Sequence, residues 1–243
     1  MQKNDHKWFL SKVKQAIRQY NMIEPGDRIA VALSGGKDSL VLLWILQQLQ
    51  NYSHLDFTNH AVHIDCGWPD QDIEFMSKLC SNLSIPLAFE KSCIAQAIFP
   101  DGKLIDNPCA LCSRLRRGAL LQWAEKNGCR KIALGHHADD VAETLFLNLL
   151  HGGRYEVFAP RIDYEDRGIS IIRPLVYLDE QTCIRIAERE QMTPMKNTCP
   201  VDHQTTRQEI KELLNSIRMQ YPDLNRKILH SLEHAEPEDF WNH

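Results

Sequence analysis

Between residues 28 and 151, short β-rich apolar runs alternate with longer stretches of helical period. "RIAVAL" (28–33), "FTNHAVHID" (57–65), "IPLAFEK" (85–91) and "RKIALG" (130–135) have strand length and composition. Residues 39–50, 70–82, 109–128 and 139–153 fill the gaps with helical patterns. Strand–helix alternation of this kind predicts a doubly wound parallel sheet with helices on both faces, an α/β fold. A further strand is expected at "GISIIRPL" (168–175), with helices at 179–190 and 204–218. Upstream, residues 6–22 carry Trp8, Val13, Ile17 and Tyr20 at roughly helical spacing, and "EPGD" then breaks the pattern. The expected organisation is an N-terminal amphipathic helix (1–25), a main domain (26–218) with an inserted Cys-x-x-Cys helix, and a polar C-terminal tail (219–243).

At 243 residues and 43% hydrophobic, the chain can bury one large core. No run approaches the roughly 18 consecutive apolar residues of a membrane span. The opening "MQKNDHKWFL" has no apolar segment followed by a cleavage site, so a cytoplasmic protein is expected. A net charge of −4 does not advertise a polyanionic partner. Local basic faces remain available for phosphates: Arg114, Arg116 and Arg117 in "CSRLRRGAL", and Lys3, Lys7, Lys12, Lys14 and Arg18 near the start. Each reads equally well as a solvated helix face.

"VALSGGKDSL" (31–40) places two glycines, a lysine and an aspartate where the first strand hands over to a helix. Glycines let the backbone turn sharply and approach a ligand without a Cβ in the way. Successive N–H groups with a helix N-terminus behind them form an anion cradle. Ser34 and Ser39 can donate to phosphate oxygens, Lys37 can neutralise them, and Asp38 can hold a bridging Mg2+. Neither the Walker nor the dinucleotide glycine pattern is present.

"SGGKDS" (34–39) resembles the PP-loop of the ATP-pyrophosphatase superfamily, whose members cleave ATP between the α and β phosphates to adenylate a substrate. With "LGHHADDVAETLFLNLLHGG" (134–153), "CALCSRLRRG" (109–118) and "IIRPL" (171–175), the chain resembles the tRNA 2-thiocytidine synthetase family over about residues 25 to 215. The resemblance implies a Rossmann-like adenine nucleotide alpha hydrolase architecture, with Ser34, Gly35, Gly36, Lys37, Asp38 and Ser39 on the triphosphate. Gly135 and Asp140 would border the nucleotide, and residues 61–65, with Ile64, would flank adenine. Lys37, Asp38 and Asp140 are the expected catalytic residues. Asp139 and Asp140 also suit plain capping of a helix start. His136 and His137 read either as phosphate or RNA contacts or as structural histidines.

Eight cysteines in a reducing compartment do not make a disulfide framework. Cys80, Cys129 and Cys183 sit in apolar patterns and read as small buried hydrophobes. Cys66 reads the same way, with a persulfide role as the alternative. Cys109 and Cys112 form the chain's C-x-x-C pair at a helix start, where the dipole favours thiolate. The resemblance adds Cys199, eight residues before Arg207, and implies that Cys109, Cys112 and Cys199 hold a [4Fe-4S] cluster by three thiolates. Its fourth iron would be open to hydrosulfide. A rival reading adds His203 to make a closed Cys3His zinc site. Lys196 stands where family members commonly carry a further cysteine.

The implied reaction is ATP-dependent thiolation of tRNA. A cytidine, C32 of the anticodon loop in the family, would be adenylated at O2 and its oxygen replaced by sulfur. Arg114, Arg116, Arg117 and Arg154 are the expected RNA contacts, and a cysteine desulfurase or free sulfide the sulfur donor. Lysidine-type amine transfer is disfavoured by the metal cysteines. Small-molecule thiolation, a non-catalytic nucleotide-binding sulfur carrier and homodimerisation stay open.

Overall fold

A computed structural model describes residues 7–69, 73–196, 198–199 and 206–236; Lys3 and His203 lie outside these. Among the described residues six strands form one sheet in the order β3-β2-β1-β4-β6-β5. They are β1 (Asp27–Ala32), β2 (Phe57–Asp65), β3 (Leu87–Lys91), β4 (Lys131–Ala133), β5 (Arg161–Tyr164) and β6 (Ile169–Ile172). All neighbours pair in parallel except β5 with β6, which is antiparallel. The expected doubly wound sheet is present. The antiparallel edge strand β5 was not anticipated, because "RIDY" carries only two apolar side chains and is half-exposed.

Strand residues alternate between the two faces, as the two-residue period of a pleated strand requires. Ile29 and Val31 of β1 join one core, whereas Ala30 joins the other. The first face is covered by α1 (Lys7–Gln19), α2 (Lys37–Tyr52) and α7 (Glu180–Arg189). Every residue of α2 from Leu40 to Leu46 is buried, so this helix is packed on all sides. α1 is not a detached appendage, since Phe9, Val13, Ala16 and Ile17 are part of this core. α3 (Glu74–Asn82) flanks it through Met76 and Cys80.

The second face is covered by α4 (Ile94–Ile98) and α5 (Pro108–Lys126), through Ile94, Ile98, Leu120, Leu121 and Ala124. A third cluster joins α6 (Ala138–Gly152), α8 (Thr206–Gln220) and α9 (Leu224–Glu233) through Ala142, Leu145, Ile210, Leu214 and Ile228. α9 corrects the expected polar tail over residues 224–233. Its apolar residues recur at helical spacing and seat Leu224, Ile228 and Leu232 against this cluster. Burial of a side chain such as Ile228 is worth about 1.5–3 kcal/mol. Among the described residues no helix is long and apolar enough to cross a membrane.

Candidate active site

β1 lies between β2 and β4, so the strand order reverses beside it, and the loops after β1 and β4 face each other across the resulting crevice. The first loop is "SGGK". Gly35 has φ +84°, in the left-handed region where a side chain is strained. A Cβ there would also lie 2.8 Å from the Met195 Cβ. The Met195 N–H donates to the Gly35 carbonyl at 2.8 Å, so the strand of chain after α7 straps the turn. Gly36 is the N-cap of α2. The Ser39 hydroxyl donates to the Gly36 carbonyl (2.8 Å), and Ser34 Oγ accepts the Gly36 N–H (3.3 Å). Both serines therefore brace the turn that was expected to offer them to phosphate.

The second loop runs through Gly135. A Cβ at this position would sit 2.9 Å from the Asp38 carbonyl carbon and oxygen and 3.1 Å from the Ser39 nitrogen. Only a glycine lets the two loops touch. Between them lies a cavity of about 350 Å3 lined by Ser34, Asp38, Ser39, Ile64, Arg116, Arg117, Gly135, His136 and Asp140, among others. The structure thus gathers most of the expected nucleotide residues in one place and adds Arg116 and Arg117 from α5. Arg114 and Arg154 are exposed and do not line it. A larger cavity of about 570 Å3 sits at the opposite, N-terminal edge of the strands, far from the glycine loop.

The Lys37 ammonium sits 3.0 Å from Asp38 and 2.9 Å from Glu180. Burial opposes its charge, but the two carboxylates outweigh burial and hold its pKa above the ordinary lysine value. Glu180 also meets Lys211 at 2.8 Å. Asp38 stays below the usual carboxylate range: burial would raise it, and His137 and Lys37 overcome that. Its Oδ1 is nevertheless buried without a hydrogen-bond partner, with His137 Nε2 3.6 Å away. An orphaned carboxylate oxygen at the mouth of an anion nest is a donor that suits a hard cation such as Mg2+. His137 is raised in turn, as the surrounding Asp38, Asp140 and Asp139 outweigh its burial.

The acidic pair divides its labour. Asp140 Oδ2 accepts the His137 N–H (2.9 Å) and caps α6, while its Oδ1 takes Arg207 at 2.8 Å. Arg207 also reaches Glu143 at 2.8 Å. Asp139 accepts the Glu180 N–H (2.7 Å) and faces Arg218 at 3.0 Å, pinning α6 to α7 and α8. Glu180, Lys211, Arg218 and Met195 were missed from sequence. Glu180 lies 143 residues from Lys37, and no local pattern announces that meeting. Next to the pair, His136 stacks on Phe158 (centroids 4.8 Å), and its Nδ1 accepts from Arg173 Nε at 3.1 Å. Arg173, the arginine of "IIRPL", is 2% exposed, also donates to the Ala159 carbonyl (2.6 Å), and lies over the Phe158 ring.

Cys109 and Cys112 stand one turn apart in the first turns of α5, whose first residue is Pro108. Cys109 is exposed and Cys112 half-buried. A hydrogen bond from Cys66 draws the Cys112 thiol down to about 6; burial opposes this and Arg116 assists. The same bond and burial push Cys66 up. Cys66 is thus buried, as its apolar surroundings suggested, and also touches a candidate ligand. Burial raises Cys80 to about 11, and also raises Cys129 and Cys183, in keeping with small core residues. Cys199 is half-buried, four residues beyond Met195. Among the described residues no three His, Cys, Asp or Glu side chains converge where one metal ion could sit. Cys109, Cys112 and Cys199 do not converge on one point here, and His203, the fourth ligand of the zinc reading, lies outside the described residues. A cubane cluster asks less convergence, because its thiolates bind different irons. Cys109, Cys112 and Cys199 are thiol donors of the soft kind that such a cluster takes.

A family model described as a PP-loop domain matches residues 7–217. A protein of Nitrosospira multiformis named tRNA-cytidine(32) 2-sulfurtransferase is 37% identical over 236 residues, covering 96% of this chain and 78% of that one. One of the same name from Acaryochloris marina is 38% identical over 228 residues, 92% of this chain and 80% of that one. The U34-tRNA thiolase NcsA from Methanococcus maripaludis, solved with its [4Fe-4S] cluster, superposes with a TM-score of 0.72 at 22% identity, over 94% of this chain and 80% of that one. The NH3-dependent NAD synthetase of Campylobacter jejuni gives 0.51 at 14% identity, over 94% and 86%. These two likenesses speak for the fold. With a glycine-built crevice at the sheet's switch point and relatives of this similarity along nearly its whole length, the chain belongs to the tRNA-cytidine(32) 2-sulfurtransferase family of PP-loop proteins.

Proposed function

We propose that this protein uses ATP and Mg2+ to adenylate a cytidine of tRNA at O2, C32 of the anticodon loop, and exchanges that oxygen for sulfur. One observation carries the reading: α5 places Cys112 directly before Ser113 and near Arg116, and both of these line the cavity that holds the phosphate loop. The thiols and the cavity lining are thus carried on one helix.

The glycine turn and the N-terminus of α2 receive the β and γ phosphates. Asp38 Oδ1 would hold Mg2+, which would supply charge neutralisation for the phosphates, and Lys37 stays cationic at neutral pH. Cytidine O2 bonds to the α-phosphorus while the bond to the bridging oxygen of pyrophosphate breaks. The charge that develops on the phosphoryl oxygens is met by groups already fixed in place. Arg116 and Arg117, placed in the cavity wall, serve the nucleotide phosphates or the incoming base. The exposed Arg114 and Arg154 serve the RNA backbone. The target is an unstacked loop base, the accessible kind. Cys109, Cys112 and Cys199 would hold a [4Fe-4S] cluster, which when bound would supply sulfide-level sulfur, from free sulfide or from a cysteine desulfurase persulfide reduced by an external thiol. The C2–S bond forms as the C2–O bond breaks and AMP leaves.

The test is anaerobic reconstitution with iron and sulfide, then incubation with ATP, Mg2+ and unmodified tRNA. The expected result is pyrophosphate release together with 2-thiocytidine by mass spectrometry of the digested RNA. Pyrophosphate without sulfur incorporation, or zinc in place of iron in the purified protein, overturns the thiolation half.

A further inference from the structure

We infer that His136 is a catalytic hydrogen-bond donor: its ring is locked by Arg173 into the tautomer that carries the proton on Nε2, and that N–H is offered to a phosphate oxygen of the bound nucleoside triphosphate. The inference rests on the nucleotide reading above and adds a residue to it.

An arginine guanidinium has only donors, so the ring nitrogen that accepts Arg173 Nε at 3.1 Å must be unprotonated. In a neutral imidazole the proton then belongs to Nε2. The partner cannot turn away. Arg173 is 2% exposed, and its position is fixed by the Ala159 carbonyl at 2.6 Å and by the Phe158 ring, 4.7 Å from its guanidinium carbon. Phe158 in turn stacks on His136, with ring planes 31° apart, so the imidazole is held on its face as well as at Nδ1. His136 lines the nucleotide cavity together with Ser34, Ser39 and Gly135, the groups that frame the phosphates.

Neutrality is reinforced by surroundings. Burial is the main cause, and Arg173, Arg207 and His137 add to it, against the attraction of Asp140; together they bring the pKa of His136 down to about 4. An uncharged donor suits a site already crowded with cations. It stabilises charge that grows on a phosphoryl oxygen without competing with Lys37 and Mg2+ for the ground-state phosphates. It also explains the arginine of "IIRPL", which otherwise does nothing at the site beyond filling a core position.

The direct test is long-range 1H–15N correlation spectroscopy of 15N-histidine-labelled protein. At neutral pH the His136 ring is expected as the Nε2–H tautomer. Addition of a non-hydrolysable ATP analogue with Mg2+ should shift its Nε2 resonance much more than its Nδ1 resonance. An Nδ1–H tautomer, a cationic ring, or an unmoved Nε2 at saturating analogue overturns the inference. In kinetics, His136→Leu should lower kcat for pyrophosphate release by about 10²–10³-fold with KM for ATP little changed. His136→Gln, which presents an amide N–H at nearly the Nε2 position, should recover most of the loss. Equal defects in both variants, each checked by thermal melting for folding, also overturn it. A wild-type protein that releases no pyrophosphate defeats the adenylation reading instead, while the spectra still decide the histidine.

Discussion

Two regions around the cavity are built on different principles: the phosphate-loop wall and the thiol group carried by α5 and the connector after α7. The β1–α2 and β4–α6 loops are held before any ligand arrives by glycine contacts, by the Met195 strap and by ion pairs from α7 and α8. The thiol group has Cys109 and Cys112 on one helix and Cys199 on the connector after α7, with no three ligands converging among the described residues. Phosphate recognition needs fixed dipoles, because reorganising them during reaction would cancel their benefit. A metal group can assemble its own ligands, since the bonds it forms repay the ordering of the chain.

Disruption of the rigid wall should have the largest effect. Gly135→Ala puts a methyl 2.9 Å from the Asp38 backbone. It should abolish measurable ATP binding in calorimetry and destabilise the fold by about 1–3 kcal/mol. Gly118→Ala, in α5, has nothing within 4 Å of the new Cβ. It should keep ATP binding and stabilise by about 0.5–1 kcal/mol. Equal tolerance at both positions would erase the contrast.

Next comes loss of the thiols. Cys109→Ser, Cys112→Ser and Cys199→Ser should each lose iron and thiolation, yet bind ATP as the parent does. A parallel fall in ATP affinity would mean that the two regions are one unit. Arg207→Ala, which strips the partner from buried Glu143 and from Asp140, should cost about 1–3 kcal/mol in chemical denaturation and raise KM for ATP.

The smallest effect separates two adjacent histidines. The folded pKa of His136 is depressed from 6.5 to about 4. The unfolded chain therefore binds a proton that the folded one does not, and stability falls as pH drops from 6.5 towards 4. His137 has the opposite sign. Its raised pKa gives stability that is present below 6.5 and fades as pH climbs through the folded value. Thermal melts across pH should show His136→Phe flattening the acid limb and His137→Asn flattening the other. Identical profiles for the two variants would refute this account of the network.

Much of the rigid wall could be read directly. Alternating β-rich runs and "SGGKDS" placed the sheet and its anion nest, since both follow from local patterns. Strand β5 and helix α9 were not read, because "RIDY" is short and polar and residues 224–233 sit in a charged tail. Glu180, Arg218 and Met195 were invisible for another reason. Each acts by meeting a residue far away in the chain, and long-range meetings leave no local spacing. Asp139 shows the boundary well: its place at the start of a helix was legible, but its bonds to the Glu180 N–H and Arg218 were not.

The amino-acid order alone showed where most strands and helices alternate and which glycines turn the chain, and it singled out side chains suited to phosphate and thiol chemistry. These properties reside in one or two turns of chain. The tertiary fold decided that Arg116 and Arg117 enter the nucleotide cavity, that Lys37 is shared with Glu180, and that Arg173 orients His136. Those outcomes depend on which elements the packed core brings side by side, and packing is a property of the whole chain.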